Sequence, residues 1–579
     1  MKRLQLTTAF LLIFFISAVT AQTRWYNPLQ SEAPVIQNQG WSTEIGHTFT
    51  RLPERAEKEV RKVVWNLSKN AAGLSIHFYS SAPEITVRYN VKGPFAMNHM
   101  PATGVSGVDL YAIDEEGRWK RAWGIYSFSD TIVYQYKNLF PSRYHKKGFE
   151  YRLYLPLYNS VNWLEIGVPE DAYFEFIPVL KEKPVIVYGT SIAQGGCASR
   201  PAMGWTNILS RKLDYPVVNL AFSGNGPFEK AVVDLINEQD AAAYVFDCLP
   251  NMGALSQEEV YNRIIYGVTT IRKQHKAPIL LTDHIGYFND QTDSTRAVIW
   301  QRLNATQWKA YNALKQQGVQ DLYYLTRDSI RFPEDGTVDY VHPNDLGMQA
   351  YADAYERQLR AVLKMPAGSL VTEHPISQRR EAGGYEWKKR HEQELQLNVQ
   401  QPPVNVIIGN SITHYWAGEP KAHIARGEKS WNRYLAGFRN MGFGWDRIEN
   451  VLWRIYHGEL DGFSAKNIVL MIGTNNIGNC TDDEIVKGID FLLQQIRQRQ
   501  PQAHIKLVGI LPRRNTETRI VSLNKRLQQV AGSRRLQFAD PGKHLLLPSG
   551  KIDESLFTDG LHPNEDGYSR LAPEIAPGH

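Results

Sequence analysis

Two serines in this chain each stand directly after a short apolar run. Ser191 follows Val185-Ile186-Val187-Tyr188-Gly189-Thr190, and Ser411 follows Val404 to Ile408 and then Gly409-Asn410. A serine hydroxyl attacks an acyl carbon only when a base takes its proton. Candidate bases lie far downstream, in Asp339-Tyr340-Val341-His342 and Asp559-Gly560-Leu561-His562. A carboxylate three residues before an imidazole lets one loop carry both, the acid orienting the ring and stabilising its cation. Negative charge developing on an attacked carbonyl needs donors as well. Gly224 and Gly444 can offer unobstructed backbone N–H groups, and Asn251 and Asn475, each shortly after a strand, can offer side-chain amides.

These are one set, repeated. Gly189-Thr190-Ser191-Ile192 returns as Gly409-Asn410-Ser411-Ile412, and Asp339 to Asn344 returns as Asp559 to Asn564, both at an offset of 220. Asn219-Leu220-Ala221-Phe222-Ser223-Gly224 returns as Asn440-Met441-Gly442-Phe443-Gly444, with one residue fewer between Asn and Gly. Asn251 and Asn475 are 224 apart. A duplication explains this more simply than coincidence, so two equivalent domains are expected.

The elements that would position these residues alternate. Short buried strands are predicted at Val185 to Tyr188, Val217 to Phe222, Ala241 to Phe246 and Pro278 to Leu281, with helical periodicity at Glu258 to His275 and Ala297 to Gln317. The pattern recurs at Val404 to Ile408, Asn467 to Ile472, His504 to Leu511 and Leu536 to Ala539. Strands alternating with helices imply a parallel sheet covered on both faces, whose sites lie at the carboxyl edge. Helix N-termini there add N–H groups suited to an oxyanion. Upstream, Leu74, Ile76 and Phe78, then Ile85, Val87, Tyr89 and Val91, then Leu153, Leu155 and Leu157 alternate with polar residues, and Asp114 to Gly117 reads as a hairpin turn. That predicts a β-sandwich. The expected order is a signal peptide over 1–21, a sandwich over 22–180, an α/β/α domain over 181–365, a polar Pro- and Gly-bearing linker over 366–384 and a second α/β/α domain over 385–579.

The four blocks (Ser, Gly, Asn and a final Asp-x-x-His, twice in order) resemble those of the SGNH hydrolase superfamily, also called GDSL esterases. The resemblance covers about Lys183 to Arg360 and Tyr385 to Ala572. It implies a flavodoxin-like α/β/α fold, Ser191 and Ser411 as nucleophiles, His342 and His562 as bases, and Asp339 and Asp559 as their orienting acids. It further implies oxyanion holes from the serine N–H with Gly224 and Asn251, or Gly444 and Asn475. The family's Asp before the nucleophile is Thr190 in one unit and Asn410 in the other, and Cys248-Leu249-Pro250-Asn251 replaces the usual Gly-x-Asn-Asp block in the first. Val451-Leu452-Trp453-Arg454, Gly458-Glu459-Leu460 and Gly473-Thr474-Asn475-Asn476 make the second unit similar to the platelet-activating-factor acetylhydrolase type. A sandwich ahead of the first unit is similar to exported bacterial proteins that remove acetyl groups from polysaccharides.

Composition agrees with an ordinary globular chain: 579 residues, 43% hydrophobic and 21% charged, which allows three or four domains at roughly 150 residues each. The net charge of +6 is spread without a basic stripe, which argues against nucleic acid as a partner. Cys197, Cys248 and Cys480 lack zinc spacing; the first two could pair in an exported protein. Asp283-His284 has no counterpart in the second unit and reads as structural or substrate-facing. No metal or organic cofactor is expected. Lys2-Arg3, the apolar run Ala9 to Val19 and Val19-Thr20-Ala21 read as a cleaved secretory signal, and no later stretch is apolar enough for stable membrane insertion. The expectation is an exported, periplasmic or secreted esterase acting on O-acetylated carbohydrate. Lipid or aryl-ester hydrolysis, or carbohydrate binding by degenerate units, are the alternatives.

Overall fold

The structure, a computed structural model, describes residues 22–382 and 385–576; the expected signal peptide lies outside them. Val185–Gly189 is the second strand of a five-stranded sheet in the order Val217–Ala221, Val185–Gly189, Ala243–Asp247, Ile279–Thr282, Leu322–Leu325, every pair parallel. The second sheet repeats this order with Phe438–Gly442, Asn405–Gly409, Asn467–Met471, His504–Val508 and Gln537–Ala539. Counted along the chain the order is 2-1-3-4-5, a doubly wound arrangement whose topological switch falls beside the first strand. Strands buried on both faces read as continuous apolar runs. Successive residues of Val185–Gly189 accordingly enter different cores: Ile186 and Tyr188 one, Val185 and Val187 the other.

The first module holds two antiparallel sheets. One contains Thr23–Tyr26, Val161–Pro169, Glu84–Val91, Ile132–Lys137 and Ile125–Ser127; the other contains Phe174–Phe176, Ser75–Ser80, Phe149–Tyr154, Asp109–Ile113 and Trp119–Ala122. Ile85, Val87 and Tyr89 of the first sheet and Ile76, Phe78 and Leu153 of the second share one core. The module is not β throughout. Helices Ser42–Ile45 and Lys62–Ser68 carry Ile45, Val64 and Trp65, which, with Trp41 and Leu52, pack into the core of the first parallel sheet beside Val218 and Leu220. The polar segment 366–382 is likewise no solvated tether. Thr372, Ser377, Gln378 and Arg379 are all buried, because partners from the first module and the second α/β unit meet their polar groups. Thr372 Oγ1 donates to the Glu484 carbonyl (2.7 Å), Gln378 Nε2 to Asp446 Oδ1 (3.1 Å) and Arg379 Nε to Glu150 Oε2 (2.5 Å).

Glu150 belongs to a buried charge cluster where all parts of the chain converge. Arg152 Nε donates to Glu150 Oε1 (3.0 Å), Arg152 Nη2 to Asp214 Oδ1 (3.0 Å) and Trp453 Nε1 to Asp214 Oδ2 (3.0 Å). The Arg379 and Arg152 guanidiniums overcome the burial that opposes ionisation and hold Glu150 far below the usual carboxylate range; Arg152 and Arg379 do the same for Asp214.

In both sheets the strand that begins the order is an edge, with carbonyls that need a donor. A buried arginine from the preceding segment supplies it each time. Arg51 Nη1 donates to the carbonyls of Asn219 (3.1 Å) and Ala221 (2.7 Å), and Arg390, on the helix Trp387–Gln400, donates to those of Asn440 (2.9 Å) and Gly442 (2.8 Å). Their guanidiniums lie 5.1 and 5.3 Å from the ring centroids of Phe222 and Phe443. Each buried carbonyl left unpaired costs about 1–3 kcal/mol, and each kcal/mol moves the melting point of a domain this size by about 2–4 °C. Arg51→Ala and Arg390→Ala should therefore each lower the melting temperature by several degrees in scanning calorimetry. Lysine should not restore it: at position 51 one ammonium would leave the Asn70 and Leu67 carbonyls that Nε and Nη2 reach, and at position 390 it cannot span the two carbonyls that Nη2 and Nε serve separately.

Candidate active sites

Ser191 opens the short helix Ser191–Gln194 immediately after its strand, and Ser411 opens Ser411–His414. The residues that replace the family's aspartate are helix caps: Thr190 Oγ1 accepts from the Ile192 N–H (3.4 Å) and Asn410 Oδ1 from the Ile412 N–H (3.0 Å). Capping leaves the serine at the first position, its N–H without a partner among the described residues. The Asp-x-x-His loops are set by the residues after the histidine. Asn344 caps the helix Asp345–Val362 and donates to the Asp335 carbonyl (2.7 Å); Asn564 caps Glu565–Ile575 and donates to the Ser555 carbonyl (2.7 Å).

The structure brings each predicted triad together. His342 Nε2 lies 2.9 Å from Ser191 Oγ, and His342 Nδ1 lies 2.7 Å from Asp339 Oδ2. In the second unit His562 Nε2 is 2.9 Å from Ser411 Oγ and His562 Nδ1 is 2.7 Å from Asp559 Oδ2. The other carboxylate oxygen accepts the backbone N–H of the same histidine, at 2.7 Å for His342 and 2.8 Å for His562. Against the opposing effect of burial, hydrogen bonds from His342 hold Asp339 below the ordinary carboxylate value, and those from the His562 amide and ring do the same for Asp559. Burial holds His562 below the ordinary histidine value, outweighing Asp559, which keeps its ring neutral and able to accept a proton. Both serines are 7% exposed.

The oxyanion side needs one correction. Asn219 and Asn440 occupy the same place in their sheets, each accepting from a backbone N–H two residues on: Ala221 (3.0 Å) and Gly442 (2.9 Å). Phe222 N–H donates to the Gly189 carbonyl and Phe443 N–H to that of Gly409, at 3.0 and 3.1 Å. Two residues beyond each phenylalanine the backbone turns left-handed, at Gly224 (φ +66°) and at Trp445 (φ +62°). Trp445, not Gly444, is therefore the counterpart of Gly224. Gly444 instead matches Ser223, whose N–H is spent on Gln194 Oε1 (2.9 Å). The N–H groups of Gly224 and Trp445 have no partner among the described residues. Residue type alone points to the glycine; the equal spacing from Asn to Phe carries the signal for Trp445.

Asn251 and Asn475 are true counterparts despite their irregular offset. Gly189 pairs with Asp247 and Gly409 with Met471, so each asparagine follows its register position by four residues. Asn251 Oδ1 accepts from the Gly226 N–H (3.0 Å), which orients its amide, and Asn475 Nδ2 donates to the Asp446 carbonyl (3.0 Å), leaving its second hydrogen.

Residues outside the blocks also shape the sites. Tyr158, from the first module, donates to the Ser191 carbonyl (3.1 Å), and the His99 ring lies 5.6 Å from that of His342. In the second unit Tyr415 takes a similar position, 5.4 Å from the His562 ring. His99, Cys197 and His342 bring ligand atoms within 4.8 Å of one another; an ion held there would compete with the Ser191–Asp339 pairing of His342. The three cysteines are free, so the possible Cys197–Cys248 bond is not formed. Burial pushes the Cys197 thiol up to about 12, which makes it a poor rival nucleophile. Asp283 and His284 are structural: Asp283 accepts from Tyr324 and from the Arg327 N–H, and burial lowers His284 to about 3.

Family models match all three parts of the chain. A model described as the GDSL-like lipase/acylhydrolase family matches residues 182–360, and a second of the same description matches 407–570, together more than half of the chain. Residues 23–174 match the N-terminus of SGNH-hydrolase-type esterases, named GxDLY, which here is Gly107-Val108-Asp109-Leu110-Tyr111. The chain belongs to the SGNH hydrolase superfamily, with two units in tandem: serine hydrolases of carboxylic esters. Among relatives, platelet-activating factor acetylhydrolase IB subunit alpha1 of Bos taurus is 28% identical over 194 residues, covering 32% of this chain and 79% of its own. Subunit alpha2 of Homo sapiens is 34% identical over 141 residues, 24% of this chain and 61% of its own. A solved structure described as a GDSL-like lipase from Bacteroides ovatus is 29% identical with a TM-score of 0.54, covering 59% of this chain and 98% of its own.

Removing an oxyanion amide costs about 10²–10³ in kcat. Asn475→Ala in a Ser191→Ala background, and Asn251→Ala in a Ser411→Ala background, should each lose that much on 4-nitrophenyl acetate; a change under three-fold would place the donor elsewhere. The lowered His562 sets the pH behaviour of the second site. Its base is active when neutral, so in Ser191→Ala kcat/KM should fall on acidification with a midpoint below 6.5.

Proposed function

We propose that the protein is an exported acetylesterase that removes O-acetyl groups from polysaccharides, with both sites at work. The observation that carries this is the complete Ser–His–Asp chain in each unit, at matching distances, beside an unspent backbone N–H and an oriented asparagine. Ser attacks the acyl carbon and His takes its proton. The serine N–H, Gly224 or Trp445 N–H and the asparagine amide stabilise the oxyanion. His then returns the proton to the departing sugar hydroxyl, and finally activates water to release acetate. Acetyl as the acyl group is supported by relatives whose names include acetylhydrolase. Carbohydrate as the alcohol is supported by the signal-like N-terminus and the polar linings beside the second site.

The same relatives' names favour a second reading, hydrolysis of a lipid acetyl ester. It requires an apolar alcohol site. Acetate release from acetylated polysaccharides decides between them, comparing wild type, Ser191→Ala, Ser411→Ala and the double variant. Release that survives in each single variant and vanishes in the double one is expected. Turnover of lipid acetates alone would replace the carbohydrate reading.

A further inference from the structure

Three side chains that can ligate a transition metal meet at the first catalytic base. His99, Cys197 and His342 hold their ligand atoms within 4.8 Å of one another. Three atoms so spaced fit inside a circle about 2.8 Å in radius, and zinc bonds to nitrogen and sulfur run to about 2.0–2.3 Å. Each ligand therefore closes on an ion by moving less than about an ångström. Two imidazoles and one thiolate suit Zn²⁺; the set offers none of the oxygens that Mg²⁺ and Ca²⁺ require.

The donors come from three segments that brace one another. His99 sits in a two-residue turn closed by Met97 and Met100, whose backbones bond each other at 3.0 and 3.2 Å, and Met100 is anchored in the first α/β core. Thr103, just beyond, donates to the Ser199 carbonyl (2.7 Å), and a Cβ on Gly104 would meet the Ala198 carbonyl oxygen at 2.3 Å. The hairpin is thus clamped to the loop that carries Cys197. Ser199 in turn gives its N–H (2.9 Å) and its hydroxyl (2.6 Å) to Asp345, three residues after His342. Cys197 itself holds a left-handed φ of +72°. That conformation costs a non-glycine residue about 1–2 kcal/mol, and such strain concentrates at functional positions.

His342 is already arranged as a ligand. Its Nδ1 hydrogen goes to Asp339 Oδ2 (2.7 Å), so the ring's lone pair stands on Nε2, where Ser191 Oγ now donates (2.9 Å). A carboxylate behind the imidazole is the usual support of a metal-bound histidine. The second unit differs at each point. Ala417 stands 220 residues after Cys197, Tyr415 lies beside the His562 ring, and no group of three such donors forms there among the described residues.

We propose that His99, Cys197 and His342 form a Zn²⁺ site that reversibly shuts the first active site and leaves the second working. The inference rests on the esterase reading of Ser191. On binding, the Cys197 thiol releases its proton to solvent and its sulfur bonds the ion. The His342 lone pair passes from the Ser191 hydroxyl to the ion, and His99 gives a ring lone pair. Ser191 then has no base to take its proton, until a chelator removes the metal.

The test uses the full chain carrying Ser411→Ala, so that Ser191 alone turns over 4-nitrophenyl acetate, with Zn²⁺ as the probe and Mg²⁺ as the comparison. Zn²⁺ should abolish turnover, EDTA should restore it, and Mg²⁺ should do nothing. The Ser191→Ala chain should need about ten-fold more Zn²⁺ or beyond. His99→Ala and Cys197→Ser, each read against its own metal-free rate, should raise the Ki for Zn²⁺ by about ten-fold or more. His99 is exposed and serine matches cysteine in shape, so both variants should fold; melting temperatures check this. Binding has its own readout: Co²⁺ should give a thiolate-to-cobalt charge-transfer band in the near ultraviolet, present in the Ser191→Ala/Ser411→Ala double variant and absent in Cys197→Ser. Equal Zn²⁺ inhibition of both sites, a Ki that the variants leave unchanged, or a missing cobalt band overturns the site. A cobalt band with turnover unaffected by Zn²⁺ overturns the inhibition. The band in a chain that hydrolyses no ester supports the metal site and removes the esterase reading alone.

Discussion

A buried guanidinium behind the edge strand is the constraint on which each active site depends. The doubly wound order puts the strand that carries the oxyanion turn at the margin of the sheet, where one row of carbonyls lacks a neighbour. Arg51 and Arg390 close that row at the same two carbonyls in each unit. Asn219 and Asn440 then lock the strand end inward, donating to the carbonyls of Ala193 (2.7 Å) and Thr413 (2.8 Å) in the nucleophile's own helical turn. Serine and oxyanion donor thus belong to one hydrogen-bonded unit, and neither can shift without breaking buried bonds. This is preorganisation built from backbone and amide groups, which need no rearrangement as charge develops.

Both arginines come from segments that precede their sheets, which changes how the modules should be understood. The antiparallel module does not simply ride ahead of an esterase. It delivers Arg51 to the first sheet, Tyr158 to the carbonyl of Ser191, and Arg61 to Asn225 (2.9 Å), the residue after Gly224. The segment between the catalytic units does the same for the second site: Gln378 and Trp387 donate to Asp446, the residue after Trp445, at 3.1 and 2.7 Å. The charge cluster around Asp214 makes the arrangement collective. Arg152, Arg379 and Trp453 come from three different parts of the chain, and removing one partner from such a cluster leaves buried charge uncompensated.

What was legible in the sequence was what is local and chemically marked. Ser191, Asp339, His342 and their repeats stand in short blocks at one offset, and a parallel fold brings the ends of its strands to one edge whatever lies between. Asn251 was legible in type, although its offset of 224 becomes intelligible only through strand register. Trp445 was hidden because residue type stood in for backbone conformation: Gly444 has the right chemistry one residue too early. Arg51 and Arg390 were hidden because they are not copies of each other; they sit 339 residues apart, outside the repeat, and converge on equivalent carbonyls from unlike elements. The segment 366–382 misled through its composition, since polar and proline-bearing sequence serves a buried interface as readily as a tether when each polar group finds a partner.

The two units keep the same backbone and differ in what they place around it. Triad distances agree to within 0.1 Å, and the left-handed turn has φ within a few degrees in both. The walls are unlike: His99 from another module stands beside one catalytic imidazole, Tyr415 from the same unit beside the other, and Gly224 leaves open the space that Trp445 fills. Duplication under a demanding reaction accounts for the pattern. Positions set by transition-state geometry tolerate no drift, because an error of an ångström forfeits catalysis. Positions around that geometry can change, and one even accepts a tryptophan in a left-handed backbone, as long as the N–H beneath it stays where the oxyanion will form.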